Sequence, residues 1–422
     1  MRPVDQAEVQ PVPTSLESVS TQGSQTGHAP KAPRFPQLDG LRGLAAVGVV
    51  GYHYTVVGAA HKLPLLGRAL NLLEMSPLSL DVFFILSGFL IGGMLLRTRN
   101  APHYYKTFYQ RRFSRIFPLY YAWIALFSVL YFVGQGWGLL PPQGYSGAFY
   151  LASFACFFQS FFPAIIKSTY IVMPTWTLAV EEYFYLLIPV CVRRLSSRRL
   201  AQLLLTVIVL APLFRGVLFK YIGHRNDWAD IATRIWPPCR ADALAMGVLL
   251  AMAWSVPEIR AWLHNHLPLF RWGIFACSGL AILFAWMAEA SFHHSRVLNV
   301  SLGRSAVELS CFCFIVFLIC RPQAAFSRFL TSSIMREFGK ISYCLYLIHW
   351  GVYWMIFRFV LHVRFGEHLW LDVVVAPFAF LISFAIAELS WNYLELPILL
   401  RARGVRGQLL PPAIPGHEPQ PA

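Results

Sequence analysis

Charge is scarce in this 422-residue sequence: Asp, Glu, Lys and Arg make up 13% of it, against 57% hydrophobic residues. A soluble domain is typically about one-quarter charged. The eight cysteines form no CxxC pair and take no Cys/His spacing suited to a metal. They lie within or beside apolar runs and read as small core residues, not ligands or disulfides. Residues 1–37 lack the apolar stretch of a secretory signal; rich in Pro, Gln, Ser and Thr, they read as a disordered tail. No repeat of 20–50 residues recurs, and no broken helices fall at matching places in two halves, which weakens a transporter reading.

What is present is a succession of apolar runs, near 41–58, 78–96, 116–133, 177–192, 200–219, 240–255, 272–289, 303–320, 341–360 and 371–394. They are too long and too continuously apolar for barrel strands. In lipid each backbone must satisfy its own hydrogen bonds, so they read as helices. A further stretch, 146–166, is interrupted by Pro163 and reads as re-entrant or interfacial. With the N-terminus cytoplasmic, 22 of the 35 Lys and Arg fall on inside segments and 8 on outside ones. The positive-inside rule then favours ten crossings with both termini inside. The expected architecture is all-α and polytopic: a membrane domain over 38–400 between disordered cytoplasmic tails, 1–37 and 401–422. The net charge of +15 follows from the same asymmetry and needs no nucleic-acid partner.

Ionisable residues inside such runs are functional candidates by default. Arg42 and His53 are eleven residues apart, within roughly 20° of three helical turns and about 16 Å along the axis, so they share a face. The bland alternative is a snorkelling arginine and a hydrogen-bonded core histidine. In TWTLAVEEYFYLLIP (175–189), Glu181 and Glu182 lie about four residues inside a span beginning near 177. That depth puts Glu181 within reach of His53, where a carboxylate orients an imidazole and raises its basicity; the alternative is a helix-end carboxylate facing interfacial water. In YQRRFSRIFPLYY (109–121), Arg111, Arg112 and Arg115 share a face at the inner surface, suited to phosphates or to anionic lipid. Asp81 and Ser87 lie in LDVFFILSGFLIGGMLL, whose glycines allow close backbone approach. Ser87 sits in no G-x-S-x-G elbow. Ser342, Tyr346 and His349 fall on one face of ISYCLYLIHW. Arg240 and Asp242, two residues apart, are poorly placed to pair with each other and need separate partners.

Taken in order, LDGLRG with its Arg-x10-His, DVFFILSGFLI, RRFSRIFP, TWTLAVEEYFYL, CRADALAMG, ISYCLYLIH and a closing ELP resemble the acyltransferase family 3 membrane proteins. That family is typified by bacterial O-antigen and macrolide O-acyltransferases. The resemblance spans about 38–400; its departures are the long N-terminal tail and Tyr183 where Gln is common. Members often carry a C-terminal hydrolase-like SGNH domain. None is expected here, so the acceptor step belongs to the membrane unit or to a separate partner. The resemblance implies transfer of an acyl group, acetyl by expectation, from cytoplasmic acyl-CoA (acetyl-CoA) to a hydroxyl of an envelope glycan or lipid-linked sugar. It implies a multi-pass cell-membrane protein, in a bacterium the inner membrane, with no metal and no tightly bound cofactor. Arg42 and His53 match the family's essential pair. The expected roles are His53 as general base oriented by Glu181, and Arg42 with Arg111, Arg112 and Arg115 on the CoA phosphates. Asp81, Ser87, Glu182, Arg240, Asp242, Tyr346 and His349 are expected along the substrate channel. An acyl-histidine or acyl-serine route stays open. So does a transporter or flippase of a lipid-linked sugar, which would use the same basic mouth without acyl transfer.

Overall fold

The computed structural model describes residues 35–59, 75–136, 147–162, 170–222, 228–289, 293–363 and 369–404, and among these there is no β-strand. The helices are α1 (Pro36–Ala59), α2 (Met75–Thr98), α3 (Tyr104–Gly136), α4 (Gly147–Ala155), α5 (Trp176–Arg194), α6 (Ser197–Ile222), α7 (Trp228–Ile235) and α8 (Ala241–Ser255). They continue with α9 (Pro257–Asn265), α10 (Leu267–Glu289), α11 (His293–Leu298), α12 (Arg304–Cys320), α13 (Ala325–Leu330), α14 (Ser333–Met355), α15 (Leu369–Ser390) and α16 (Leu396–Gly404). The predicted tails, apart from 401–404 in α16 and 35–37 at the start of the fold, lie outside the described residues.

Among the described residues, seven helical segments are long and apolar enough to cross a membrane, or eight if α8 and α9, bent by 105° at their junction, form one span. α1 and α14, 24 and 23 residues long, have spanning length but are more polar, because they carry Arg42 with His53, and Ser342 with Tyr346 and His349. The expected ten crossings include these two; length and composition alone support seven or eight. The stretch near 146–166 makes no full span in its described part. α4 has nine residues and gives way at Phe157, which takes a left-handed φ of 59°, to a single 3₁₀ turn, Phe158–Phe161.

Two apolar clusters meet at α1. Val50 and Tyr54 pack with Tyr120, Leu345, Ile348 and Ala379 on one side. Leu38, Leu41 and Ala45 pack with Ile85, Leu244 and Val316 on the other. α1 and α14 thus sit in the interior with α2 and α12, whereas α6, α10 and α15 turn many large apolar side chains outward. Two glycine crossings set the spacing. A Cβ on Gly339 of α14 would strike the Asp39 carbonyl of α1, and one on Gly43 would press on the α14 backbone. At the α2–α8 crossing, a Cβ on Gly88 would strike the Leu244 carbonyl, and one on Gly247 the Ile85 carbonyl. Backbone cannot retreat as a side-chain tip does. Gly247→Val is therefore expected to lower stability by about 1–3 kcal/mol or more. Thermal unfolding in detergent checks this, with Gly279→Ala, where no atom lies within 4 Å of an added Cβ, as the neutral control.

Candidate active site

Helical periodicity brings five helices around one cavity of about 160 Å³. α1 supplies Arg42; α2 supplies Ser87 between apolar neighbours; α3 supplies Arg112 and Arg115; α5 supplies Thr177, Glu181 and Tyr185; α14 supplies Ser342 and Tyr346. Arg115 is exposed, whereas Arg42 and Arg112 are half-buried, so the mouth opens on the Arg115 side. Glu181 is held by two hydroxyls: Ser87 Oγ donates to Oε1 at 2.6 Å, and Tyr185 Oη donates to Oε2 at 2.8 Å. Arg42 Nη2 reaches Ser342 Oγ at 3.5 Å. The Arg112 guanidinium lies over the Tyr185 ring at 5.3 Å, and its Nε is buried with no hydrogen-bond partner. Three guanidiniums against one carboxylate leave the lining net positive, with donors suited to an anion.

The face of α14 that carries Ser342 and Tyr346 continues to His349, and α1 runs parallel beside it. Arg42 meets Ser342 near one end, Val49 packs with Tyr346 midway, and His53 Nδ1 meets His349 Nε2 at 2.9 Å further along. His349 Nδ1 lies 2.6 Å from the Tyr346 carbonyl oxygen. The His349 ring is fully buried; that of His53 is half-buried, beside Trp350 at a centroid distance of 5.0 Å. Tyr346 Oη and Thr177 Oγ1 meet at 3.0 Å between the cavity and the histidine pair.

A second polar group lies behind the cavity wall. Arg215 of α6 binds Asp242 at 2.9 Å and Glu308 at 3.4 Å, and its other contacts are the Cys239 and Ser301 carbonyls and Ser305 Oγ. Arg240 binds Asp81 at 2.9 Å and faces the Phe84 ring, which lines the cavity, at 5.1 Å. With Arg304 facing Asp81, three arginines balance three carboxylates. A π-helical turn over Asn299–Gly303 sets the Ser301 carbonyl, which Arg215 Nη2 reaches at 3.3 Å.

The structure corrects four expectations. Glu181 does not hold His53; it lines the arginine cavity, and His349 is the histidine's partner. The cause is the start of the span, which begins at Val172 through the 3₁₀ turn Tyr170–Thr175 and carries Glu181 deeper than a start near 177 allows. Arg111 is off the lining and donates to Met94 Sδ at 4.0 Å. Glu182, rotated by about 100° from Glu181, also lies off the lining. Asp81, Arg240 and Asp242 are not in the lining of this cavity; they belong to the buried ion-pair group, where Arg240 and Asp242 take different partners. Arg215 and Glu308 are absent from the expected site, although each is a charge within an apolar run, the signal that marks Glu181. Thr177 and Tyr185 carry no such signal. All eight cysteines are unpaired, and no group of three or more His, Cys, Asp or Glu among the described residues is placed to hold a metal.

The family model described as "Acyltransferase domain" matches residues 35–389. O-acetyltransferase OatA from Staphylococcus aureus (strain NCTC 8325 / PS 47) is 25% identical over 340 residues, covering 76% of this chain and 52% of that protein. "Putative peptidoglycan O-acetyltransferase YrhL" from Bacillus subtilis (strain 168) is 25% identical over 361 residues, covering 78% of this chain and 51% of that protein. The chain spans about half the length of the curated relatives it matches. No solved structure matches it.

Proposed function

The chain belongs to the acyltransferase-domain family, and from that premise we propose that it is a membrane O-acyltransferase carrying an acetyl group from cytoplasmic acyl-CoA to a hydroxyl of an envelope glycan. The glycan acceptor is drawn from relatives whose names specify O-acetyl transfer, one of them to peptidoglycan. The Lys and Arg distribution supports an orientation with the arginine mouth cytoplasmic. The observation that carries the reading is the joining of two features by one helix. α1 brings Arg42 to a net-positive cavity and His53 to a histidine pair about 16 Å further along. Acyl-CoA has its phosphates at one end and its thioester at the other, which fits a site with anion donors and a base set apart. In the reaction, the acceptor oxygen attacks the thioester carbonyl while His53 takes its proton. The C–S bond breaks, and CoA leaves as a thiolate that recovers the proton from His53.

The donor end is tested by affinity. A charge-assisted contact to phosphate is worth about 1.5–3 kcal/mol, so Arg42→Ala or Arg115→Ala is expected to raise the acyl-CoA Kd by roughly ten- to a hundred-fold. Lysine should restore part of the loss, since it keeps the charge without the planar fork. Titration of purified protein in detergent reads this directly, and parent-like affinity in both variants removes the arginines from donor binding. The reaction itself is tested by thiol release from acetyl-CoA and by mass spectrometry of the glycan acceptor. Binding without thiol release or acetylated product favours the transporter reading.

A further inference from the structure

The position expected for a carboxylate beside His53 is occupied by a second histidine, and the contacts around that ring decide where the protons sit. The Tyr346 carbonyl oxygen can only accept, so at 2.6 Å the His349 Nδ1 carries a hydrogen and donates it. His349 is 0% exposed, and its ring meets the backbone of Tyr346 and Leu345 and the His53 imidazole, not a carboxylate. A second hydrogen on Nε2 would make it an uncompensated buried cation, which is costly. Nε2 is therefore an acceptor, and the 2.9 Å contact is a hydrogen bond donated by His53 Nδ1. That leaves Nε2 of His53 with its lone pair.

We infer that His349 is a positioning residue that holds His53 in the Nδ1–H tautomer, with Nε2 presented as the base. The inference rests on the reading of His53 as general base and adds how the fold selects the reactive nitrogen. The His53 ring also has a backbone partner on its own helix, Val49; the bond to His349 adds an acceptor from a second helix, which fixes the ring's rotation as well as its tautomer. After Nε2 takes the acceptor's proton, the same Nδ1–H bond holds the imidazolium, and no proton moves on to His349, because its far nitrogen already donates to a carbonyl. The mount is stiff: Tyr54 Oη donates to the His349 carbonyl at 2.8 Å and meets Ser383 Oγ at 3.0 Å, which ties the α14 turn that carries the ring to α1 and α15. Residues 53 and 349 are 296 apart in sequence, so this pairing exists only in the folded chain.

The test is ¹⁵N NMR of the full chain, histidine-labelled, in lipid nanodiscs, with the His53 signals assigned by their loss in His53→Ala. The expected parent spectrum shows a pyrrole-type Nδ1 and a pyridine-type Nε2 on His53. In His349→Leu the ring loses its cross-helix acceptor and keeps only its Val49 backbone contact; the tautomer shifts toward the Nε2–H form, and kcat falls by about ten- to a hundred-fold with the donor KM unchanged, part of the roughly 10²–10⁴-fold a base supplies. His349→Gln keeps an acceptor and a donor and is expected to recover part of kcat. An Nε2–H tautomer on His53 in the parent overturns the inference, as does parent-like kcat and tautomer in His349→Leu. The spectrum requires neither donor nor acceptor. A parent without acyl transfer therefore defeats the functional reading, and the hydrogen bond is still decided by the spectrum.

Discussion

His53→Ala will lower acyl transfer by about 10²–10⁴-fold, the range that a positioned general base contributes, with acyl-CoA affinity close to the parent's. The two effects separate because the donor's anion ligands lie at the other end of α1, about 16 Å away. Stability should fall only modestly. The substitution removes a half-buried ring and leaves His349 Nε2 without its donor, a loss of about 1–3 kcal/mol. The decisive pair of measurements is thiol release from acetyl-CoA with acceptor present, and thermal unfolding of the same preparation. Parent-like turnover in a folded His53→Ala protein ends the general-base role.

The second large effect is on stability. Arg215→Ala removes a side chain that is 0% exposed and strips its partner from Asp242 and Glu308, both fully buried. Asp242 loses the arginine that pairs with it at 2.9 Å, and Glu308 keeps only Arg240, at 3.8 Å; breaking a buried ion pair on one side costs about 3–5 kcal/mol. That corresponds to a fall of roughly 10²–10⁴-fold in the folding equilibrium constant. Replacing Arg215, Asp242 and Glu308 together with apolar residues of similar volume should recover much of the loss, since no unpaired charge is left behind. Thermal unfolding in one detergent orders the three proteins. If Arg215→Ala unfolds with the parent, the group does not hold α6, α8 and α12 together.

The sequence makes some of this legible and hides the rest for physical reasons. Most spans are readable because lipid demands long apolar helices, and the shared face of Arg42 and His53 follows from helical pitch alone. The need of Arg240 and Asp242 for separate partners follows from their spacing; which partners they find, Asp81 and Arg215, does not. Periodicity tells which residues share a face, not which face meets which, so the His53–His349 contact has no local signature. The depth of Glu181 is misread because Pro174 interrupts the helical pattern and hides the start of the span at Val172. Arg111 and Arg112 are neighbours in one basic cluster, and only the packing of α3 decides that Arg112 turns into the cavity.

The interior placement of α1 also has a consequence for biosynthesis. The first described helix of the chain is among its more polar long ones, and its main partner, α14, is synthesised about 300 residues later. At ribosomal rates of about 5–20 residues per second, α1 waits roughly 15–60 s before α14 exists to cover Arg42 and His53. During that interval it is a weakly apolar segment among lipids, held by α2 alone of its long helical partners until the rest of the bundle arrives. A chain stopped before residue 333 lacks the helix that covers this face, however well the intervening helices have inserted.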